Sequence, residues 1–402
     1  MNEPAIVVVG AGASGLSTAL SLAERGAQDV TVIDRRHVAA GSSALSAGVF
    51  TRQYTEPIDI ELRQECYLRF CDLERENGLL LRRNGFVRLA HDEATMASFV
   101  TAAECQRAFG VEDARALDAD ELARLIPDMR CADLEGGLYG PSDGYLDGQQ
   151  LCMVYAERAA ALGVRILAYH GLLARERGQR RAHRLITTRE AIECDVVVNA
   201  AGAWASHVGN ILEAPVDVDA ERHQAAVMGL TRELPYVLPT VMDYSPGSGR
   251  LGLYLRPEGE TQHQVIVGLH TNERMAEAEP DADAFHTGID AAFIDEIVPL
   301  LLERMPGFAD AGLQSGWAGL YPNAADDQFI IGPCAGADSV FAACGVNGVG
   351  VYMSPVVGRL AAEWILDGSP RGPAGVERFD ARRAQATTPP ARPPIDGRVR
   401  ER

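Results

Sequence analysis

Residues 7–26, "VVVGAGASGLSTALSLAERG", run from an apolar strand through a glycine turn into a helix, and their reading decides the fold. Gly10, Gly12 and Gly15 form G-x-G-x-x-G, a spacing that lets backbone amides and a helix N-terminus approach a pyrophosphate. The apolar "AIVVVG" before the turn starts at Ala5, and "DVTVID" after the helix ends at Asp34. Residues 5–34 therefore read as a parallel βαβ unit. Asp34 closes the second strand, where a carboxylate can accept both hydroxyls of a ribose. Ala13, Ser14 and Arg35 flank these positions and are expected to share in holding a dinucleotide. The motif alone does not choose between a flavin and a nicotinamide cofactor.

Outward from this unit, the chain of 402 residues has 47% hydrophobic and 23% charged residues, enough apolar content for a sizeable core. Its net charge of −19 would repel phosphate backbones and anionic lipid, so neither nucleic acid nor a membrane is expected as a partner. No apolar run approaches the roughly eighteen residues that span a bilayer, and no basic segment precedes Ala5. A cytoplasmic protein is expected. The eight cysteines are dispersed, without a Cys-x-x-Cys pair or neighbouring histidines, and read as reduced packed thiols with no metal site.

Further along, the periodicity predicts a helix over about 57–77, a short strand "GFVRLA", and a polar, acidic helical region from Asp92 to Leu125. From Gly148 the pattern is helix, strand ("VRILAYH"), polar hairpin or turn, then the apolar "CDVVVNAAGAWA". Between about 216 and 312 it changes to β-like segments with a helix near 290–304. The expected fold class is α/β, α+β overall: a Rossmann-like cofactor domain with an interleaved mixed β-sheet substrate domain. Residues 1–84, 145–215 and 313–380 are assigned to the first domain and 85–144 and 216–312 to the second. The proline- and arginine-rich stretch 381–402 reads as a disordered tail.

A second glycine turn opens "CGVNGVGVYMSPVVGRLAAEWI" at 344–365, although one phosphate loop suffices for one dinucleotide. Together with the first loop, "GSSALSAGVFTRQY" at 41–54, "VVVNAAGAWA" at 196–205 and "GWAGLYPNAADDQFIIG" at 316–332, it resembles the D-amino-acid oxidase superfamily. Within that superfamily the likeness is to the sarcosine oxidase and dimethylglycine dehydrogenase branch. The resemblance implies an extended FAD, with its pyrophosphate at the first loop and its ring at the late turn. Gly345, Asn347, Gly348, Val349 and Gly350 would then meet the ring, together with a helix starting near Ser354. Ser42, Ser43, Ala200, Ala201, Gly202 and Gly319 correspond to further cofactor positions.

Departures from the family pattern are informative. Relatives attach flavin through a His where Ser46 stands or a Cys where Gly319 stands, so FAD is expected to be non-covalent. Ile266 takes the place of a lysine that promotes reaction with oxygen, which implies a dehydrogenase or a slow oxidase, with O2 or another molecule as acceptor. Tyr352 replaces a lysine that holds the carboxylate of sarcosine, so sarcosine itself is not the expected substrate. By the same resemblance Arg52 meets a substrate carboxylate, and Tyr254 faces the substrate, with Arg256 on the same strand face and Tyr352 lining the pocket. Trp317 is a candidate wall, and the turn residues Asp326 and Asp327 are read as loop structure.

These expectations give FAD-dependent oxidation of a CH–NH bond in an amino acid or a secondary or N-methylated amine, hydride passing to flavin N5 and the imine then hydrolysing. One alternative is a 2-hydroxy acid or polyol-phosphate dehydrogenase, which needs a base and makes His223 or His270 candidates; His263 belongs to the same segment. The other is a non-catalytic flavin subunit of a heteromeric complex, dependent on a partner subunit.

Overall fold

The strand Ile6–Val9 is buried at all four residues and lies hydrogen-bonded in parallel between Val30–Ile33 and Val196–Asn199. Burial on both faces is what a run of β-branched residues suits. Beyond Val30–Ile33 the sheet adds Arg165–Leu167; on the other side it adds Val340–Cys344 and, antiparallel at the edge, Ile330–Pro333. The computed structural model describes residues 3–245, 251–259, 262–270, 279, 281–337 and 339–385.

The helix Ala13–Glu24 packs against the late helix Gly350–Asp367. They approach closely because Gly358 has no side chain: a Cβ there would run into the Ser17 backbone. The late helix begins at Gly350, one turn earlier than the reading that placed its start near Ser354. Proline suits a first helical position, which made Pro355 look like the opening. Inside the helix, Pro355 has no N–H to offer the Val351 carbonyl. Ser354 Oγ donates to that carbonyl instead, at 2.8 Å, and the Tyr155 hydroxyl lies 3.0 Å from Ser354 Oγ.

A second sheet has eight strands in the order Gly312–Ala324, Val218–Gly229, Gln264–His270, Gly252–Glu258, Thr240–Asp243, Phe86–Ala90, Gly136–Gly140, Arg115–Asp118. Alternation divides its faces. Ala226, Met228, Leu253, Leu255, Val265 and Val267 pack with Phe293, Ile297 and Leu301 of the helix Ala291–Arg304. Ala225, Val227, Tyr254 and Ile266 form a separate cluster on the opposite face, with Met242 and Trp317 against it.

Several elements differ from the sequence reading. Gly312–Ala324, grouped with the last cofactor-binding piece, pairs along its length with Val218–Gly229 and so extends the eight-stranded sheet. The supposed hairpin after Arg165–Leu167 is part of a three-stranded antiparallel sheet, Leu172–Arg177, His183–Thr187 and Ala191–Cys194. The acidic region splits into the helices Glu93–Ala108 and Ala119–Leu125 around the strand Arg115–Asp118, the second helix opened by an Asp118–Glu121 capping box. The chain stays folded past 380: Ala381 is buried and Arg383 Nε donates to Asp326 Oδ2 at 2.9 Å. The remainder of the proposed tail, from 386, lies outside the described residues. No helix among the described residues is long and apolar enough to cross a membrane.

The hydroxyl that carries the late helix through its proline gives a first prediction. Ser354→Ala leaves the Val351 carbonyl and the Tyr155 hydroxyl without this partner in a buried setting, at a cost of about 1–3 kcal/mol. Urea unfolding is expected to show that loss, with the m-value unchanged.

Candidate active site

The two glycine turns face one cavity of about 390 Å³. At its first end, Gly10 has φ +117°, and a Cβ there would strike the Ala200 carbonyl oxygen; a Cβ on Gly15 would strike the Gly10 carbonyl. Glycine is needed at both because strand end, turn and helix converge there. Ala11 N donates to Asp34 Oδ2 at 2.8 Å, and Arg36 N donates to Asp34 Oδ1 at 2.7 Å, so the carboxylate is held at the mouth of the loop. Ala13 N donates to Ser43 Oγ at 3.0 Å, and Ser42 Oγ donates to the Leu320 carbonyl at 2.6 Å, tying the early turn to the second sheet.

Gly10, Gly12, Ala13, Ser14, Asp34, Arg35, Ser42 and Ser43 all line this cavity. So do Ala200, Ala201, Gly202, Gly319, Gly348 and Gly350. Gly15, Gly345, Asn347 and Val349 stand behind the surface and shape it. Gly345, Asn347 and Gly348 have φ of +65°, +45° and +79°, which coils the late turn, and the bare Cα of Gly348 makes room for the Tyr321 ring. Asn347 Oδ1 accepts from Ala324 N at 2.8 Å, while its buried Nδ2 has no partner among the described residues. Trp204 was overlooked although its motif was read. Arg35 stacks on its ring at 4.4 Å, and Asp283 accepts from Arg35 Nη1 at 2.7 Å and from Trp204 Nε1 at 2.9 Å.

The opposite end is the sheet face carrying Tyr254, Ala225 and Trp317, beside His223 and Gln224. Tyr254 faces Gly268 across the strand pair, and its ring fills the space a Cβ on Gly268 would need. Burial pushes the Tyr254 phenol above its ordinary range, and burial with the nearby Glu221 pushes Tyr321 up to about 12, so both stay protonated. His223 stacks on Tyr321, centroids 3.7 Å apart, with Nε2 3.2 Å from Glu221 Oε1. His270 stands edge-on to Tyr244 and is kept neutral: desolvation, then Arg88 and His223, lower its pKa to about 3. His263 is exposed.

Three expected substrate residues lie off the cavity lining. Arg52 is 3% exposed and its Nε donates to Asp143 Oδ1 at 2.7 Å. Asp143 also accepts from Thr51, Gln53 and the Arg52 amide, so this pair braces the turn 51–53. Burial alone would lower the Arg52 pKa, but Asp143 more than reverses this. Arg256 shares a strand face with Tyr254 as expected, yet its Nε donates to the Ala47 carbonyl at 2.6 Å and its Nη1 pairs with Glu258. Tyr352 is buried in the first core, its hydroxyl donating to the Arg63 carbonyl at 2.8 Å. Ile266, 3% exposed, belongs to the Tyr254 cluster.

A glycine cradle for a pyrophosphate, a ribose carboxylate and a distant second turn on one elongated cavity suit FAD. They define a flavin-dependent oxidoreductase. The chain belongs to the DAO family, described as FAD dependent oxidoreductase, which it matches over residues 5–364. It is 27% identical over 376 residues to mitochondrial sarcosine dehydrogenase of Mus musculus, covering 91% of this chain but 40% of that protein. The chain thus spans about two fifths of that relative's length. Its fold is that of L-proline dehydrogenase from P. horikoshii (TM-score 0.82, 23% identity, 96% of this chain and 98% of that one). It is also that of glycine oxidase from Geobacillus kaustophilus (TM-score 0.77, 20% identity, 95% and 99%).

Two predictions follow from the geometry. Arg52→Met strands Asp143 in the interior and is expected to cost about 3–5 kcal/mol in chemical denaturation, as loss of one partner of a buried pair does. For His270, the unfolded chain takes up a proton near pH 6.5 and the folded chain only near 3. Stability should therefore fall as pH drops from about 6.5 towards 3. His270→Gln should flatten part of that slope in melts recorded at pH 7 and pH 5.

Proposed function

We propose that this chain oxidises the C–N bond of an amino acid or N-methylated amino acid to an imine that water then hydrolyses. The observation carrying the reading is that Asp34, at the adenosine end, is the one carboxylate in the described cavity lining. At the Tyr254 end an ammonium group would find no acid in the described lining to pair with, and apolar surroundings favour the neutral amine. A neutral amine is the form that gives up hydride without a strong base. When bound, FAD supplies the two-electron acceptor.

This chain's residues then bind, orient and exclude water. Gly10, Gly12 and Asp34 would hold the pyrophosphate and ribose, and Gly348 and Gly350 the ring end. Tyr254, fixed by Gly268, and Trp317 would close over the reacting carbon, an orienting role that is sensitive to shifts of about 1 Å. Ser46 and Gly319, the positions of attachment in relatives, both line the cavity, which supports a dissociable cofactor. The reading of Ile266 as oxygen-poor gains support from composition. All 37 basic residues are arginine, so no change of alignment can restore a lysine over the ring.

A second reading has its own observation. His223, in the lining with Glu221 at 3.2 Å, is arranged as a base for a hydroxyl proton. That is what oxidation of a hydroxy acid would require.

Anaerobic mixing of the purified FAD-loaded protein with N-methyl amino acids, cyclic imino acids, D-amino acids and hydroxy acids separates the two. Bleaching of the flavin absorbance by an amino acid is expected, with slow recovery when air is readmitted. Bleaching by hydroxy acids alone would overturn the amine reading, and acid precipitation should release the flavin into the supernatant.

A further inference from the structure

The adenosine end of the cavity is crossed by a contact between side chains from two non-adjacent strand ends. Arg35 follows the strand Val30–Ile33 and Trp204 follows Val196–Asn199, and the strand between them, Ile6–Val9, ends in the Gly10 turn. With neighbouring strands about 4.8 Å apart, the two side chains together bridge roughly 10 Å. The Arg35 guanidinium lies on the Trp204 ring, and that ring leans on Gly41, where an added Cβ would stand 3.5 Å from Cζ3. Both residues line the cavity. The turn expected to cradle the pyrophosphate is thus spanned from flank to flank.

What holds the stack together comes from the other sheet. Asp283 stands outside the cavity lining, yet it accepts from Arg35 Nη1 and Nη2 and from Trp204 Nε1, so one carboxylate fixes both members. It sits on residues 281–290, which lead into the helix Ala291–Arg304. The later part of this segment is tied to Val218–Gly229: Arg222 donates to the His286 and Gly288 carbonyls and pairs with Asp290, whose amide donates to Gln224 Oε1 at 2.7 Å. The Thr287 carbonyl accepts from Ala318 N at 2.8 Å. The earlier part packs through Ala282 and Phe285 on the cluster of Ala203, Ala220 and Leu320. Asp281 Oδ1 accepts from Asp283 N at 2.8 Å and so sets the turn that presents the carboxylate.

The segment is firmly anchored, whereas its grip on Arg35 is open to water: the Arg35 and Asp283 side chains are 39% and 53% exposed. Such a pair opens far more readily than the buried Arg52–Asp143 pair. Its geometry is still the favourable one, bidentate and stacked on an aromatic face. The hydrogen bonds from Arg35 keep the Asp283 carboxyl below its ordinary range, against a partial desolvation that raises it, so the pair stays charged at neutral pH. A contact that closes in good geometry and reopens in water is suited to gating.

We propose that Asp283, Arg35 and Trp204 form a clasp across the cofactor channel, and that FAD enters and leaves only while Asp283 is detached from Arg35. Asp283 is a positioning residue, acting through the two residues that line the cavity. Because it grips their outer side, the clasp governs the rate of exchange more than the affinity. The inference rests on the dissociable-cofactor part of the reading above and is independent of the substrate.

Labelled FAD bound to the enzyme, chased with excess unlabelled FAD, gives the dissociation rate without turnover, and equilibrium dialysis gives the affinity. Asp283→Ala is expected to speed dissociation about 5- to 30-fold, the combined weight of an exposed bidentate pair and the stack it fixes, while the dissociation constant moves less than about threefold. Asp283→Asn, which keeps an acceptor for Trp204 Nε1 but not the charge, should give an intermediate rate. Raising salt from about 0.05 to about 0.5 M should speed release from the wild type and leave Asp283→Ala nearly unchanged, since the pair that salt screens is gone. A dissociation rate unaltered in both variants would overturn the clasp. So would faster release matched by an equal loss of affinity, which would make Asp283 a support of the bound cofactor and not a gate. Flavin that stays with acid-precipitated protein would overturn both the dissociable reading and the clasp, whereas released flavin with unaltered exchange overturns the clasp alone.

Discussion

The backbone contact between Gly10 and Ala200 sets the position of everything around the cavity. The strand ends at 9 and 199 lie side by side, and the turn that leaves the first passes so close to the second that no Cβ fits between them. Gly15 repeats the condition one step on, seating the helix Ala13–Glu24 against its own turn. That helix is in turn the surface on which Gly350–Asp367 packs, with Gly358 against Ser17. A chain of glycine contacts thus brings a turn near residue 348 to the cavity that a turn near residue 12 begins. This is the physical answer to why two glycine turns occur in one chain: each lets backbone approach a different end of one long ligand.

The parts of this arrangement that were legible in sequence are those whose signal is local. Glycine spacing, a strand-ending aspartate and an alternating strand such as Gly252–Glu258 depend on neighbours a few residues away. What escaped depends on distant partners. Arg52 looked free because Asp143, which neutralises it, lies 91 residues on. Arg256 is occupied by a carbonyl 209 residues away, and the Tyr352 hydroxyl by one 289 away. A charged or phenolic side chain read in isolation is thus as ready to be consumed by the interior as to meet a ligand.

The converse error concerns Arg88. "GFVRLA" announces a strand and nothing more, because an arginine in a short strand is ordinarily a solvated residue. Its place on the Tyr254 face arises from parallel pairing with Thr240–Asp243, which sets Arg88 in register with Met242 and hence on the row of Tyr254. A shift of one residue would send the same arginine into the apolar layer with Val241 and Leu255. Pairing between strands some 150 residues apart carries no mark in either segment.

Charge type completes the picture of the substrate end. With no lysine in the chain, every fixed positive charge there is a guanidinium, which holds its proton at any working pH. The phenols of Tyr254 and Tyr321 keep theirs because burial raises their pKa, and His270 stays neutral because burial and neighbouring positive groups oppose its ionisation. Such a set can orient a substrate, and at this end of the lining His223, with Glu221 3.2 Å behind it, is the side chain placed to accept a proton. The chemistry that asks least of it is hydride loss from an amine that arrives neutral. A hydroxyl, which must shed a proton as the hydride leaves, would place that whole burden on His223.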